Sequence, residues 1–362
     1  MAGDLGRAVE ILEQNGRGKT RLAQRLRSET RLLSPGYRLP ITGSRAAGPG
    51  GPTAGESLRV LHLLTNSLPH TQSGYSVRSH NILRNLRDHG IQSLALTRTG
   101  YPVMIGKPWC ADDDTIDGIR YRRTLPAVLG ATPEARLLQQ VREAVQIVED
   151  FRPHVLHATT DYRNALVAQA VSRKTGIPWI LEVRGLMEKT WIASHATAAA
   201  QQRAAGSEKV RLIEVTETDL AQEASAVVTL SRTMADELER RGVPSQKITL
   251  VPNGIDPELF EENLTPAEAR AWLGADLPAD ALVVGAVSAL VDYEGFDVLL
   301  HAVARILDDD DVSSSVRDRL RIALIGDGTA APSLTRSAQE LGLEDRLLMP
   351  GRVPQQTARH WV

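Results

Sequence analysis

Three clusters in this 362-residue chain combine residue types and spacings that could do chemistry. Glu182-Val183-Arg184-Gly185 ends the apolar run 178–183 and sets a carboxylate two residues from a guanidinium. Ser73-Gly74-Tyr75-Ser76 follows the apolar run 58–64 and opens an amphipathic stretch. Backbone N–H groups could meet a phosphate there. Gly326-Asp327-Gly328, after the run 319–326, offers the same service, because glycine lets backbone approach an anion closely. Residues 326–331 also fit G-x-G-x-x-A, the pattern of a dinucleotide site. Such a site wants an acid at the end of the next strand, where Met349-Pro350-Gly351 stands. Ser231 after 226–230, the junction 251–256 and Tyr293-Glu294-Gly295 complete the ordered set.

Other patterns carry less. Gly18-Lys19-Thr20 resembles the end of a phosphate loop, but Glu13 holds the position of its first glycine and no strand precedes it. Asp112-Asp113-Asp114 could clamp a metal-bound diphosphate, yet it sits in a charged stretch before Gly118 and reads as a solvated hairpin turn. Asp308 to Asp311 reads as a solvated helix end. With Cys110 alone, an internal disulfide or multi-cysteine metal site is excluded.

The elements that would position these groups alternate. Apolar runs at 58–64, 91–97, 154–158, 178–183, 226–231 and 247–254 predict strands. Helical spacing is seen at 74–89, 133–151 and 163–175, through a long zone ending at 224, and up to 241. The alternation restarts with strands at 281–288, 319–326 and 346–351 and helices at 296–307 and 331–341. Such a pattern predicts two Rossmann-like, doubly wound parallel-sheet domains, an α/β fold. The expected boundaries are an extension at 1–57, a first domain at 58–255 and a partial second domain at 256–362.

The hydrophobic share of 42% and charged share of 24% are those of a globular chain, and the net charge of −2 gives no field to recruit nucleic acid. No apolar run approaches the length of a membrane span, and no h-region marks a secretory signal, so a cytoplasmic location is expected. Residues 1–43 keep helical leucine spacing with a basic excess between Arg17 and Arg31. They read as a helix packed on the main body, with peripheral contact at the inner face of the plasma membrane as the alternative. Residues 44–57 are rich in Gly, Pro and Ser and read as a flexible linker.

Taken in order, 74–90, 97–102, 179–191, KITLVPNGIDPELF (247–260), 285–307 and 322–354 resemble glycosyltransferase family 4, enzymes of the GT-B fold. The resemblance covers about 300 positions. The N-terminal strings look like a subgroup that builds surface or exported glycans. It implies a retaining transfer from a nucleotide-sugar donor to a glycan or lipid-linked acceptor, with no cofactor and no metal. Glu182 and Arg184 are then the catalytic candidates. Gly74, Ser288, Ala289, Glu294, Gly295, Gly326, Gly328, Arg352 and Val353 fall on donor-side positions, and Asn253 and Gly254 on the interdomain hinge.

Three departures qualify that picture. Arg184 stands where many members carry His. Ala289 and Glu294 replace the usual Arg and Lys that neutralise the donor diphosphate. The family's E-x7-E element follows a fourth strand of the second domain, and the chain ends before it. A truncated member with an exposed edge at its first strand is therefore expected. The alternatives are a non-catalytic sugar- or nucleotide-binding protein and, on the glycine turn, an NAD-dependent Rossmann enzyme.

Overall fold

Short apolar runs bounded by Gly, Pro and polar residues become strands here, and the amphipathic stretches between them become helices. The computed structural model describes residues 3–42, 50–255 and 264–361. It divides into two units, Met1–Asn253 and Gly254–Val362.

The first unit is built on strands β1 (Arg59–Leu64), β2 (Gln92–Thr97), β3 (Asp113–Ile116), β4 (Ile119–Arg122), β5 (Val155–Thr159), β6 (Trp179–Val183), β7 (Ala226–Thr229) and β8 (Ile248–Leu250). They form one sheet in the order β3-β4-β2-β1-β5-β6-β7-β8. Its helices are α1 (Leu5–Gln14), α2 (Arg21–Leu32), α3 (Gly74–Asp88), α4 (Pro133–Phe151), α5 (Tyr162–Thr175), α6 (Met187–Ala193), α7 (Ala198–Ala205), α8 (Glu208–Glu223) and α9 (Arg232–Arg240). The order of the strands reverses between the parallel neighbours β1 and β5, the place where open α/β sheets bind ligands at their carboxyl ends.

Two expectations change. The sheet is mixed, because β3 runs antiparallel to β4. Asp117 and Gly118 both take positive φ (48° and 74°), the two-residue turn that closes a hairpin. The turn is therefore at 117–118, while Asp113 and Asp114 lie in β3 and are ion-paired, to Arg120 and Arg122 and to Arg123. The long helical zone ending at 224 is three helices, because Thr197 and Ser207 each cap a new start with a side-chain oxygen.

The N-terminal residues belong to this unit. Leu5, Leu32, Leu33 and Leu39 share one buried cluster with Leu61, Leu156 and Leu166. Thr216 Oγ1 donates to the Leu33 carbonyl at 3.0 Å, Lys209 pairs with Glu29 at 2.7 Å, and Arg31 pairs with Glu134 at 2.9 Å. Residues 44–49 of the expected linker lie outside the described residues.

The second unit holds α10 (Pro266–Leu273), β9 (Leu282–Val287), α11 (Phe296–Asp308), α12 (Ser314–Arg319), β10 (Leu320–Ile325), α13 (Ala331–Glu340), β11 (Leu347–Gly351) and α14 (Gln355–Ala358). Its sheet is parallel, in the order β11-β10-β9, over a core of Leu290, Phe296, Leu300, Ile322, Leu324 and Leu334. Among the described residues β9 pairs only with β10, and its Leu282, Val283, Val284 and Val287 are exposed.

Because Leu33 is fully buried beneath helices of the main body, Leu33→Ala should cost about 2–5 kcal/mol. Urea unfolding of the two proteins measures it, and a loss below about 1 kcal/mol would show that the N-terminal helices only rest on the surface.

Candidate active site

Four elements converge at the β1–β5–β6 region of the first unit. The register sets His62 of β1 directly beside His157 of β5, with ring centroids 5.0 Å apart. Glu182 comes from β6 and is 0% exposed. Its Oε1 accepts from Arg78 of α3, with Nη2 at 3.0 Å and Nε at 3.1 Å. Its Oε2 accepts from Arg184 Nη2 at 2.7 Å and lies 3.4 Å from His157 Nε2.

Burial of that carboxylate works against its charge. The facing His157 and Arg184 outweigh this and hold Glu182 well below the usual carboxylate range. His62 is buried as well, and burial together with the neighbouring His157 pushes its pKa well below the ordinary value, leaving a neutral imidazole. Neither His62 Nε2 nor Arg184 Nε has a hydrogen-bond partner among the described residues.

This geometry redefines the two catalytic candidates. Arg184 Nη1 donates to the Tyr75 carbonyl at 2.9 Å and to Ser79 Oγ at 2.8 Å, so the guanidinium grips the first two turns of α3. Glu182 is sealed from solvent and saturated by cations, so it cannot attack or deprotonate an incoming substrate. Both orient α3, whose N-terminus lies at the carboxyl end of the sheet.

Arg78 is the group that the sequence reading misses. Its Nη1 donates to Asn253 Oδ1 at 2.9 Å and to the Pro252 carbonyl at 3.1 Å, and its Nη2 to the Val251 carbonyl at 2.8 Å. One side chain thus ties Glu182 to the last residues of the first unit. Its signal was faint: an arginine one helical turn after Gly74. The two strand histidines, each a polar residue within an apolar run, were a clearer one.

Gly74 is the first residue of α3, behind the N-cap Ser73. It needs no positive φ, and a Cβ added there would meet nothing within 4 Å. The fold itself does not require glycine at this position. Ser231 is an ordinary N-cap, its Oγ accepting from Met234 N at 3.2 Å.

In the second unit the strand ends gather the donor-side candidates. Ser288 and Ala289 follow β9, Gly326 and Gly328 follow β10, and Arg352 and Val353 follow β11. Ser288 N donates to the Ile325 carbonyl at 3.0 Å, and Leu290 N to the Asp327 carbonyl at 3.1 Å. A Cβ on Gly326 would run into the Ser288 carbonyl, and one on Gly328 into the Leu290 carbonyl, so these glycines are demanded by packing. Gly295 takes a φ of 74° to start α11, with Glu294 exposed before it. Asn253 closes the first unit and Gly254 opens the second.

A half-buried carboxylate lies behind the site. Glu217 of α8 lines a small cavity with Thr160, Asp161, Tyr162, Gly185 and Arg241. It accepts from Tyr162 N at 3.2 Å. Burial, with Asp161 and Glu188 nearby, raises its pKa to about 8.

Two expectations follow for stability. Glu182→Gln leaves Arg78 and Arg184 facing a neutral amide, which should cost about 3–5 kcal/mol in urea unfolding. In the wild type, the depressed Glu182 contributes stability that is fully present above the ordinary glutamate value of 4.5 and is lost as pH falls below it. Glu217 acts in the opposite sense. Its folded pKa lies above the unfolded one, so stability declines as pH rises from 4.5 to about 8. Glu217→Gln should flatten that decline, and an unchanged pH profile would refute the assignment.

Comparison with known proteins fits this architecture. Residues 73–254, half of the chain, match the glycosyl transferase 4-like domain. A D-inositol 3-phosphate glycosyltransferase of Stackebrandtia nassauensis is 31% identical over 189 residues, covering 49% of this chain and 38% of that protein. The chain thus spans well under half of that relative. Anabaena Alr3699/HepE, solved in complex with UDP and glucose, superposes with a TM-score of 0.57 at 18% identity over 83% of this chain and 71% of its own. WaaG, a glycosyltransferase involved in lipopolysaccharide biosynthesis, gives 0.56 at 12% identity over 83% and 71%. The α/β fold is of the GT-B type, and on the match through residues 73–254 the chain belongs to the glycosyl transferase 4-like family.

Proposed function

We propose that this chain acts as a retaining glycosyltransferase on a glycan or lipid-linked acceptor, its first unit on the acceptor side and its second on the nucleotide-sugar side. The observation that carries the reading is Gly74. It opens α3 at the carboxyl end of the first sheet, with free space above it and no demand from the fold for glycine. A helix N-terminus with exposed N–H groups and no side chain in the way suits an anionic or sugar hydroxyl ligand. The family match and the UDP complex of Alr3699/HepE support a nucleotide-sugar as that ligand. It enters as substrate, and the chemistry calls for no separate cofactor.

Retention is what the family resemblance implies, and the sealed Glu182 argues against a covalent enzyme intermediate at β6. With no exposed carboxylate at β6 to act as nucleophile, the reaction is displacement on one face of the sugar. The bond from the anomeric carbon to the donor phosphate oxygen breaks. The acceptor oxygen bonds to the same face, and its proton passes to the leaving phosphate. The roles of the chain are to hold α3 through Arg184 and Arg78 and to present the Gly74 amide. Ala289 and Glu294 supply no cation to the diphosphate, so amides carry more of the charge compensation than in a site with two cations.

Gly74→Val tests the reading. Since a Cβ at Gly74 meets nothing, unfolding free energy should change by less than about 1 kcal/mol. Turnover in a panel of UDP- and GDP-sugars with lipid-linked and oligosaccharide acceptors should fall at least about 100-fold. Proton NMR of the product should show the donor's anomeric configuration kept. Inversion, or full activity in Gly74→Val, would overturn the mechanism. Calorimetric binding of NAD, with no binding of any sugar nucleotide, would overturn the function.

A further inference from the structure

Tyr75 stands immediately after Gly74 in the first turn of α3 and is 51% exposed. Its main chain is pinned, because the carbonyl accepts from Arg184 Nη1 and from Ser79 Oγ, each at 2.9 Å. Its phenol is not. Tyr37, Tyr101 and Tyr121 hydrogen-bond their hydroxyls to Glu134, to the Ser67 carbonyl and to His80. The Tyr75 hydroxyl has no such partner among the described residues.

A second glycine shows where that hydroxyl goes. A Cβ on Gly185 would sit 3.4 Å from the Tyr75 phenol oxygen and within 4 Å of nothing else beyond its chain neighbours. The side chain thus reaches from the N-terminus of α3 to the carboxyl end of β6, the strand next to the β1–β5 reversal. That reversal is where open sheets hold their ligands. Glycines flank the ring along the chain at 74 and through space at 185, and both leave room that a side chain would fill.

An exposed ring tipped by an unpartnered hydroxyl has the chemistry of a sugar contact. The apolar C–H face of a pyranose packs on the ring, and its hydroxyls donate and accept, as a phenol does. Charge does not select a phosphate at this point, since Arg78 and Arg184 are already paired with Glu182. The cost of ordering is small, because only two side-chain torsions remain free on a turn that Arg184 holds.

We infer that Tyr75 is a specificity-determining residue whose hydroxyl hydrogen-bonds a hydroxyl of a pyranose seated at the Gly74 amide. This role rests on the transferase reading. The pyranose is the transferred sugar of the donor or the terminal sugar of the acceptor, and the two have the same chemistry.

Tyr75→Phe removes only the hydroxyl, so the wild-type melting curve should be kept. On the donor and acceptor that the wild type turns over, kcat/KM should fall about tenfold. A site built to meet a substrate hydroxyl rejects the analogue that lacks it. On one monodeoxy analogue, therefore, the variant and the wild type should be equally active. Monodeoxy donors and monodeoxy acceptors form separate arms, and the analogue giving this match names the sugar. Fluorine NMR of protein labelled with 3-fluorotyrosine reads binding without turnover, with Tyr75→Phe assigning one of six signals. That signal should move with a UDP- or GDP-sugar or an oligosaccharide acceptor, and stay in place with UDP or GDP alone. The role of Tyr75 is overturned if its signal stays fixed while calorimetry shows a sugar nucleotide bound. It is also overturned if Tyr75→Phe changes kcat/KM by one common factor on every analogue, since that would mean support of α3 alone. A moving signal in a protein that transfers no sugar would keep the contact and overturn the transferase reading.

Discussion

A carboxylate buried completely must be matched by cations and hydrogen-bond donors or it will not stay ionised. Glu182 meets that condition with Arg78 on one oxygen and Arg184 on the other. The rest of the first unit follows from how those partners are held. Arg184 reaches Glu182 only while it also grips Tyr75 and Ser79, so α3 cannot rotate or slide without breaking the cluster. The N-terminus of α3 inherits that rigidity, and a preorganised amide is what binding a charged group requires.

Much of this was legible from apolar runs and caps. The strand at 178–183 and the helix at 133–151 appear within one residue of their expected bounds, because a hydrophobic run ending in Glu-Val-Arg and a Thr-Pro start are strong local signals. The β3–β4 hairpin was misplaced because three consecutive aspartates look solvated. Only the tertiary ion pairs with Arg122 and Arg123 make them strand residues, and the Asp117-Gly118 turn just beyond was the better signal. The site was partly legible: Glu182 and Arg184 were singled out, but as groups that reach the substrate. A sequence cannot show that a side chain turns inward when its partners, Arg78 and His157, lie 104 and 25 residues before Glu182.

The glycines divide along the same line. Gly326 and Gly328 matched a functional pattern, yet neighbouring carbonyls already exclude a side chain at both. Gly74 matched a weaker pattern and has no such structural reason. Conservation of type would look the same in both cases. Only the space around each Cβ separates a glycine that lets the chain pack from one that leaves room for something else.

Arg78 reaches a partner 175 residues away, since the guanidinium that holds Glu182 also holds Asn253. In evolutionary terms the two sites form one unit of inheritance. A change at residue 253 that withdraws its oxygen would leave a partly buried cation short of a partner, and a change at residue 78 would leave Oε1 of Glu182 and the carbonyls of Val251 and Pro252 without it. Natural variants of this lobe should therefore exchange residues 78, 182 and 253 together, so that drift at the end of the lobe is constrained by charge at its centre.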